Sequence, residues 1–278
     1  METIVLSNVK GGIAKSLSTI NLATIMQLAG KRVLVVDNDV QSNSTQTFKC
    51  YKKTDCDLND VLIEDADIRD AIVHSEDYGV DVLVNSKKHF LSDPGEELML
   101  KGNLSFDILK EVLNEVKDEY DYAFIDNPPD LHRMAKIGIA AADHILLPVM
   151  ADGFSFEGIS DALTAIDYIR KESSSNVDIM GVFLARVSVN TTNFYVNYHS
   201  YIDSLNDLAL KYFIRQDTKQ SEACSSFVPV YYYQKKTKAG TDYINLAREI
   251  GILDEKAFRK LKKEYTSPLT ELDISKYN

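Results

Sequence analysis

Short apolar runs alternate along the chain with longer stretches of helical periodicity. Residues 3–7 (TIVLS), 31–37 (KRVLVVD), 80–86 (VDVLVNS), 122–126 (YAFID), 144–149 (HILLPV) and 177–185 (VDIMGVFLA) are β-rich runs of the buried-strand type. Between the first two, Ser16 to Ala29 repeats apolar residues at helical spacing (Leu17, Ile20, Ala23, Met26 or Leu28) and stops at Gly30. Residues 105–118 set Ile108, Leu109, Val112 and Val116 on one helix face. Further helical pieces are expected at 57–63, 66–73, 133–142, 155–171, 193–212, 239–250 and 254–264. This alternation predicts an α/β fold, a mostly parallel twisted sheet with helices on both faces. Tyr231-Tyr232-Tyr233 reads as a half-buried strand with packing tyrosines rather than as a platform for stacked bases. With no internal repeat, low-complexity tract or linker, residues 1–264 are expected to form one domain. Residues 265–278, weakly periodic, are expected to be a loose tail.

Composition narrows the class. Of 278 residues, 45% are apolar and 26% charged, a globular balance that argues against disorder as the main state. No apolar run approaches the roughly 18 residues of a membrane span. Cys50, Cys56 and Cys224 cannot all pair, and none lies in a C-x-x-C, which argues against a disulfide scaffold or zinc module and fits a reducing cytosol. The net charge of −11 is unevenly spread. Residues 1–214 carry 19 Lys and Arg against 33 Asp and Glu, whereas residues 215–264 carry 11 against 7. A mildly basic C-terminal segment follows an acidic body, and on charge alone a solvated helical face accounts for it.

The first strand runs into S-N-V-K-G-G-I-A-K-S and then a helix. That context suits a phosphate-binding loop, because backbone N–H groups of a tight loop and a helix N-terminus converge on an anion. Lys15 is placed to reach phosphates and the Ser16 hydroxyl to ligate Mg²⁺. The common G-x-x-x-x-G-K-[ST] spacing is not met, since Val9 and Ala14 stand at its glycine positions. Asp37, Asp39 and Asp126 close strands, where ligands gather in a doubly wound sheet. Strand-end Asp is also a common turn former, but three beside a phosphate loop point to Mg²⁺ or to an attacking water.

Together these segments resemble the ParA/MinD family of deviant Walker-type ATPases, its ParA branch in particular. The family loop K-G-G-x-G-K-[ST] corresponds to K-G-G-I-A-K-S, the D-x-D-P-Q-G-N-x-T segment to D-N-D-V-Q-S-N-S-T, and Y-D-x-x-x-I-D-x-P-P to Y-D-Y-A-F-I-D-N-P-P. Near the C-terminus, S-E-A-C-S-S-F-V-P-V and K-T-K-A-G-T-D-Y-I-N-L-A-R-E-I match further family segments, so the likeness covers most of residues 1–251. The chain departs at Ala14 and Ser42, where the family has Gly, and at Val40 and Cys224, where it has Pro.

The resemblance implies ATP and Mg²⁺ as cofactors. It assigns the nucleotide cradle to Lys10, Gly11, Gly12, Ile13, Ala14, Lys15, Ser16 and Leu17. Lys10 is implied to reach a partner's phosphates, Lys15 those of its own site. Asp39 is implied as the switch acid for hydrolysis, with Ser16, Asp39 and Asp126 on the Mg²⁺ side. It further implies an ATP-dependent sandwich homodimer, slow hydrolysis accelerated by a ParB-like partner, and non-specific DNA binding in plasmid or chromosome partition. Arg186, Arg215, Lys219, Lys235, Lys236 and Lys238 are the DNA-binding candidates, each of which, taken singly, reads better as a solvated surface cation. A cytoplasmic, nucleoid-associated location without membrane attachment is expected. The chain opens on its first strand, so an added helix-turn-helix is not expected. A MinD-like membrane switch and a metabolic ATP-dependent enzyme of the same fold are the alternatives.

Overall fold

Seven strands form one sheet among the described residues of the computed structural model, which are 1–8, 12, 14–86, 93–150, 155–189 and 192–277. They are β1 (Glu2–Leu6), β2 (Val33–Asp37), β3 (Ile72–Ser75), β4 (Val80–Leu83), β5 (Tyr122–Asp126), β6 (His144–Val149) and β7 (Asp178–Leu184), in the order β3-β4-β2-β5-β1-β6-β7. All neighbours are parallel except β3 and β4, an antiparallel edge pair. The mostly parallel sheet expected from the alternation is therefore present.

Successive strand residues enter opposite layers, as the two-residue period of a strand requires. Val5, Leu34, Val36, Ile125 and Ile145 join one core, under α3 (Leu58–Glu64), α4 (Ile68–Ala71), α5 (Pro94–Leu100), α6 (Ile108–Asn114), α7 (Arg133–Ala140), α8 (Ser155–Glu172) and α9 (Thr192–Leu205). Ile4, Leu6, Val33, Val35 and Phe124 join the other, under α1 (Lys15–Leu28), α10 (Thr218–Ser225), α11 (Val230–Tyr233), α12 (Lys238–Glu249) and α13 (Glu255–Tyr265). A short helix α2 (Asn43–Thr47) follows β2. Both faces are covered, which is why the strands read as continuous apolar runs.

Four expectations need correction. The helix expected over 66–73 ends at Ala71, and Ile72–Ser75 instead pairs with β4. The helix expected over 105–118 is confined to Ile108–Asn114. The tyrosine run is the short helix α11, entered from Pro229; Tyr231 is buried and donates its hydroxyl to the Gly240 carbonyl at 2.7 Å, while Tyr232 and Tyr233 are exposed. The segment after Thr266 is not loose: Thr270 and Leu272 are buried, and Thr241 Oγ1 donates to Thr270 Oγ1 at 2.9 Å.

Candidate functional site

The carboxyl ends of β1, β2 and β5 meet the N-terminus of α1. Of the loop between β1 and α1, Gly12, Ala14, Lys15, Ser16 and Leu17 lie among the described residues, and Lys10, Gly11 and Ile13 lie outside them. Gly12 and Ala14 both take left-handed conformations, φ 76° and 72°. Glycine adopts that region freely; an alanine Cβ crowds the following carbonyl there. Lys15 is buried, and its Nζ donates to the Asn8 carbonyl at 3.1 Å. Burial lowers the Lys15 ammonium from its usual range, and the charges of Asp126, Asp39 and Asp130 oppose that shift.

Parallel pairing sets Asp37 directly beside Asp126. Asp37 Oδ2 accepts the Thr45 N–H at 2.7 Å, and Asp126 Oδ2 accepts the Ser44 hydroxyl at 2.7 Å. Their Oδ1 atoms are buried with no hydrogen-bond donor among the described residues. Burial, then the charge of Asp126, holds Asp37 well above the carboxylate range. Burial also pushes Asp126 up to about 7, against the hydroxyls of Ser44 and Ser16. Asp39 is raised too, by burial first, while the Gln41 N–H (2.9 Å to Oδ1) and Lys15 favour its charged form. Orphaned carboxylate oxygens beside a serine hydroxyl and a buried lysine fit a divalent cation held next to phosphates.

Lys15 and Asp39 open on a cavity of about 550 Å³, whereas Asp37 and Asp126 are fully buried. Gly12, Ala14, Lys15, Ser16 and Asp39 line one end. Leu17, Ile20, Cys224, Phe227 and Val228 give an apolar wall, with Ser221 and Ser225 from α10. A cavity of that size, apolar with a few convergent polar groups, is the usual form of a small-ligand site. The structure thus gathers Gly12, Ala14, Lys15, Ser16, Leu17, Asp39 and Asp126, as the motifs suggested.

Two further features escape motif reading. Asn38 Nδ2 donates to Asn127 Oδ1 and to the Met134 carbonyl, both at 2.8 Å, and Asn127 Nδ2 donates to the Ala135 carbonyl at 2.9 Å. These bonds join the ends of β2 and β5 to α7. A Cβ at Gly138 would lie 2.9 Å from Asn127 Cγ and from Asn38 Nδ2, so glycine is needed for that approach. The α10–α11 corner, which carries the S-E-A-C-S-S-F-V-P-V segment, also supplies the apolar wall, a role that the segment's match did not assign.

The DNA-binding candidates divide. Arg215 is withdrawn: it is buried, and its guanidinium is paired with the fully buried Asp242, Nη2 to Oδ1 at 2.6 Å and Nε to Oδ2 at 2.9 Å. The same guanidinium donates to the Thr270 carbonyl, fixing the tail. Arg186 is exposed, but it stands at the cavity mouth. It lines the cavity, and its Nη1 donates to the Gly12 carbonyl at 3.0 Å. Lys235, Lys236 and Lys238 are exposed and Lys219 is half-buried. Lys219 is paired with Glu222 and Lys235 with Glu264, each at 2.9 Å, so part of the local positive charge is neutralised.

The geometry agrees with three comparisons. A family model described as an AAA domain matches residues 1–179. The chain is 30% identical over 252 residues to the sporulation initiation inhibitor protein Soj of Bacillus subtilis (strain 168), covering 90% of this chain and 98% of that protein. In fold it is similar to an McdA variant from Cyanothece solved as an ATP complex (TM-score 0.74, 20% identity, 95% of each chain). It is likewise similar to the septum site-determining protein MinD from Pyrococcus horikoshii OT3 complexed with Mg-ADP (TM-score 0.71, 24% identity, 90% of this chain and 96% of that one).

Proposed function

The chain belongs to the ParA family of P-loop ATPases, and from that premise we propose that it is a partition ATPase whose Mg-ATP-bound homodimer binds DNA without sequence preference. The observation that carries this reading is the convergence of Lys15, Ser16 and Asp39 on one cavity, with the fully buried Asp126 near enough to bear on the charge of Lys15 and α10 forming part of the wall. ATP with Mg²⁺ is the ligand of choice, since solved structures of this fold hold ATP or Mg-ADP.

In this reading Lys15 neutralises phosphate charge inside its own subunit. Lys10 adds a second positive charge from the facing subunit, so the site is complete only in a dimer. The Ser16 hydroxyl and Asp126 take the metal side, and Asp39 orients the attacking water. A bound Mg²⁺ supplies charge neutralisation for the transferring phosphoryl group. Because Ser221, Cys224 and Ser225 line the cavity while the half-buried Lys219 of the same helix pairs with Glu222 outside it, nucleotide occupancy has a mechanical route through α10 to the lysine-bearing segment. Hydrolysis loosens the dimer and releases DNA, a ParB-like partner accelerates it, and the protein works on the nucleoid in the cytoplasm.

A lipid-bound alternative is disfavoured by α13. Its lysines are outward, but its apolar residues Phe258, Leu261 and Tyr265 are buried in the core and are not available to a bilayer.

The test compares wild type with Lys10→Ala, Lys15→Ala and Asp39→Ala by nucleotide binding, light scattering and DNA gel shift. Lys15→Ala is expected to lose nucleotide. Lys10→Ala is expected to bind nucleotide without pairing, and Asp39→Ala to pair and bind DNA with little turnover. A wild-type protein that stays monomeric with ATP, or binds DNA equally well without it, overturns the reading.

A further inference from the structure

The net charge of the chain is localised. Residues 57–119 contain 17 Asp and Glu against six Lys and Arg, a net −11, and the remainder carries 25 of each. Within that acidic sector α3, α5 and α6 enclose a groove of about 520 Å³. Half-buried Ile108 and Val112 contribute its accessible apolar lining, over the buried Leu62 and Leu98. At the end of α5 and in the following turn, next in sequence to the groove residues Leu98, Lys101 and Asn103, Met99, Leu100 and Leu104 are 51%, 87% and 66% exposed. Three of the nine exposed large hydrophobic side chains among the described residues therefore fall within six positions, enough to mark a patch rather than scattered residues. Asp65, Glu111 and Glu115 line the groove as well. Glu111 and Glu115 are one helical turn apart, an arrangement that repels along α6 and gains nothing for the helix itself. The lysine at the rim, Lys101, is already engaged, its Nζ 2.6 Å from Glu64 Oε1 and 3.2 Å from the Ile63 carbonyl.

We propose that this groove docks an amphipathic segment of a partner protein, which lays apolar side chains on the half-buried Ile108 and Val112 and on the exposed Leu100 and Leu104, and sets lysines or arginines against the acidic rim. Charge complementarity selects that occupant. A nucleic acid or an anionic membrane would be repelled. A second copy of the chain would bring the same acidic sector, and its most basic helix, α13, already has its apolar face in its own core. The claim needs only the groove and does not depend on the nucleotide reading. The groove is nevertheless connected to the nucleotide cavity. Arg133, the first residue of α7, donates from Nη2 to the carbonyls of Asn103 and Ser105 at 2.9 and 3.1 Å and lies over the Phe106 ring at 5.1 Å. It follows closely after Pro129, which lines that cavity.

The test uses two synthetic helical peptides with the same leucine face, one bearing lysines and the other glutamates, titrated by fluorescence anisotropy into the full chain at physiological salt. The lysine peptide is expected to bind at least about tenfold more tightly, a difference of ~1.4 kcal/mol. It should slow amide exchange across residues 96–115. Leu100→Ser with Leu104→Ser, and separately Glu111→Gln with Glu115→Gln, should each weaken it by roughly tenfold. Leu100 and Leu104 are exposed, so folding is not at risk, and nucleotide binding by the same variants should be unchanged. Equal affinity for the two peptides, unchanged affinity in the variants, or protection elsewhere overturns the proposal while leaving nucleotide binding intact. So does self-association of the unliganded chain that Leu100→Ser abolishes, because the patch would then belong to a second copy.

Discussion

Ala14 and Ser42 occupy backbone conformations, φ 72° and 57°, that their side chains disfavour. An L-residue in the left-handed region costs roughly 1–2 kcal/mol, whereas glycine there is free of that penalty but loses more entropy on folding, by about 0.5–1 kcal/mol. Ala14→Gly is therefore expected to stabilise the protein by about 0.5–1 kcal/mol, a rise of a few degrees at most in the unfolding midpoint, and to tighten nucleotide binding. Calorimetry and nucleotide titration read both; a lower midpoint would mean that the Cβ of Ala14 packs usefully. The carboxyls nearby give a pH signature. Asp126, pushed up to about 7 by burial, and Asp37, held well above the usual range, retain protons that the unfolded chain releases near pH 4. The native state then binds more protons than the unfolded state in this window, so the nucleotide-free protein loses stability as pH rises from about 4 through 7. Asp126→Asn is expected to flatten that slope and to raise the midpoint at pH 8, at the cost of Mg²⁺-dependent nucleotide binding. An unchanged slope in the variant would show that Asp126 is ionised throughout.

Arg215 shows the same kind of lesson between elements. It lies after β7, pairs with Asp242 in α12 and holds the tail through Thr270, so three segments distant in sequence share one guanidinium. Removing one partner of a buried pair leaves the other charge uncompensated, and Arg215→Ala is expected to cost about 3–5 kcal/mol in denaturant unfolding. Lys236→Ala, on the exposed surface, should stay within about 0.5 kcal/mol of wild type. Equal stability of the two variants would return Arg215 to the surface candidates. The elements legible in the sequence were those with their own period: α1, the buried strands, and the loop and acid motifs at their ends. Four-residue β3 was not, because only its pairing with β4 makes Ile72–Ser75 a strand. The tail was misread because polar anchors, not an apolar stripe, hold it. Arg186 beside Gly12 and the Asn38–Asn127 bridge each join residues about 90 or more positions apart, and the wall role of the matched α10–α11 segment depends on a corner packed against α1, so no local pattern could announce these contacts.

Across the whole molecule, an acidic sector and a weakly basic C-terminal surface set how the proposed DNA binding should respond to salt. Each Lys or Arg that neutralises a phosphate releases counterions and adds about 0.9 to the slope of log affinity against log salt. In a homodimer every substitution removes two such contacts, so Lys236→Ala or Lys238→Ala should lower the slope by roughly 1.8 if both copies touch the duplex. Lys235 and Lys219 are held by Glu264 and Glu222, and a cation already neutralised has less to exchange with phosphate. Their alanine variants are expected to change the slope less. The measurement is DNA affinity over a salt series with a slowly hydrolysed ATP analogue, and again with ADP. Steep dependence with the analogue and weak binding with ADP fit a surface assembled by pairing two chains. If instead Lys235→Ala and Lys219→Ala alter the slope as much as Lys236→Ala, their ion pairs open on binding. A slope that no lysine substitution changes would move the DNA contact away from this face altogether.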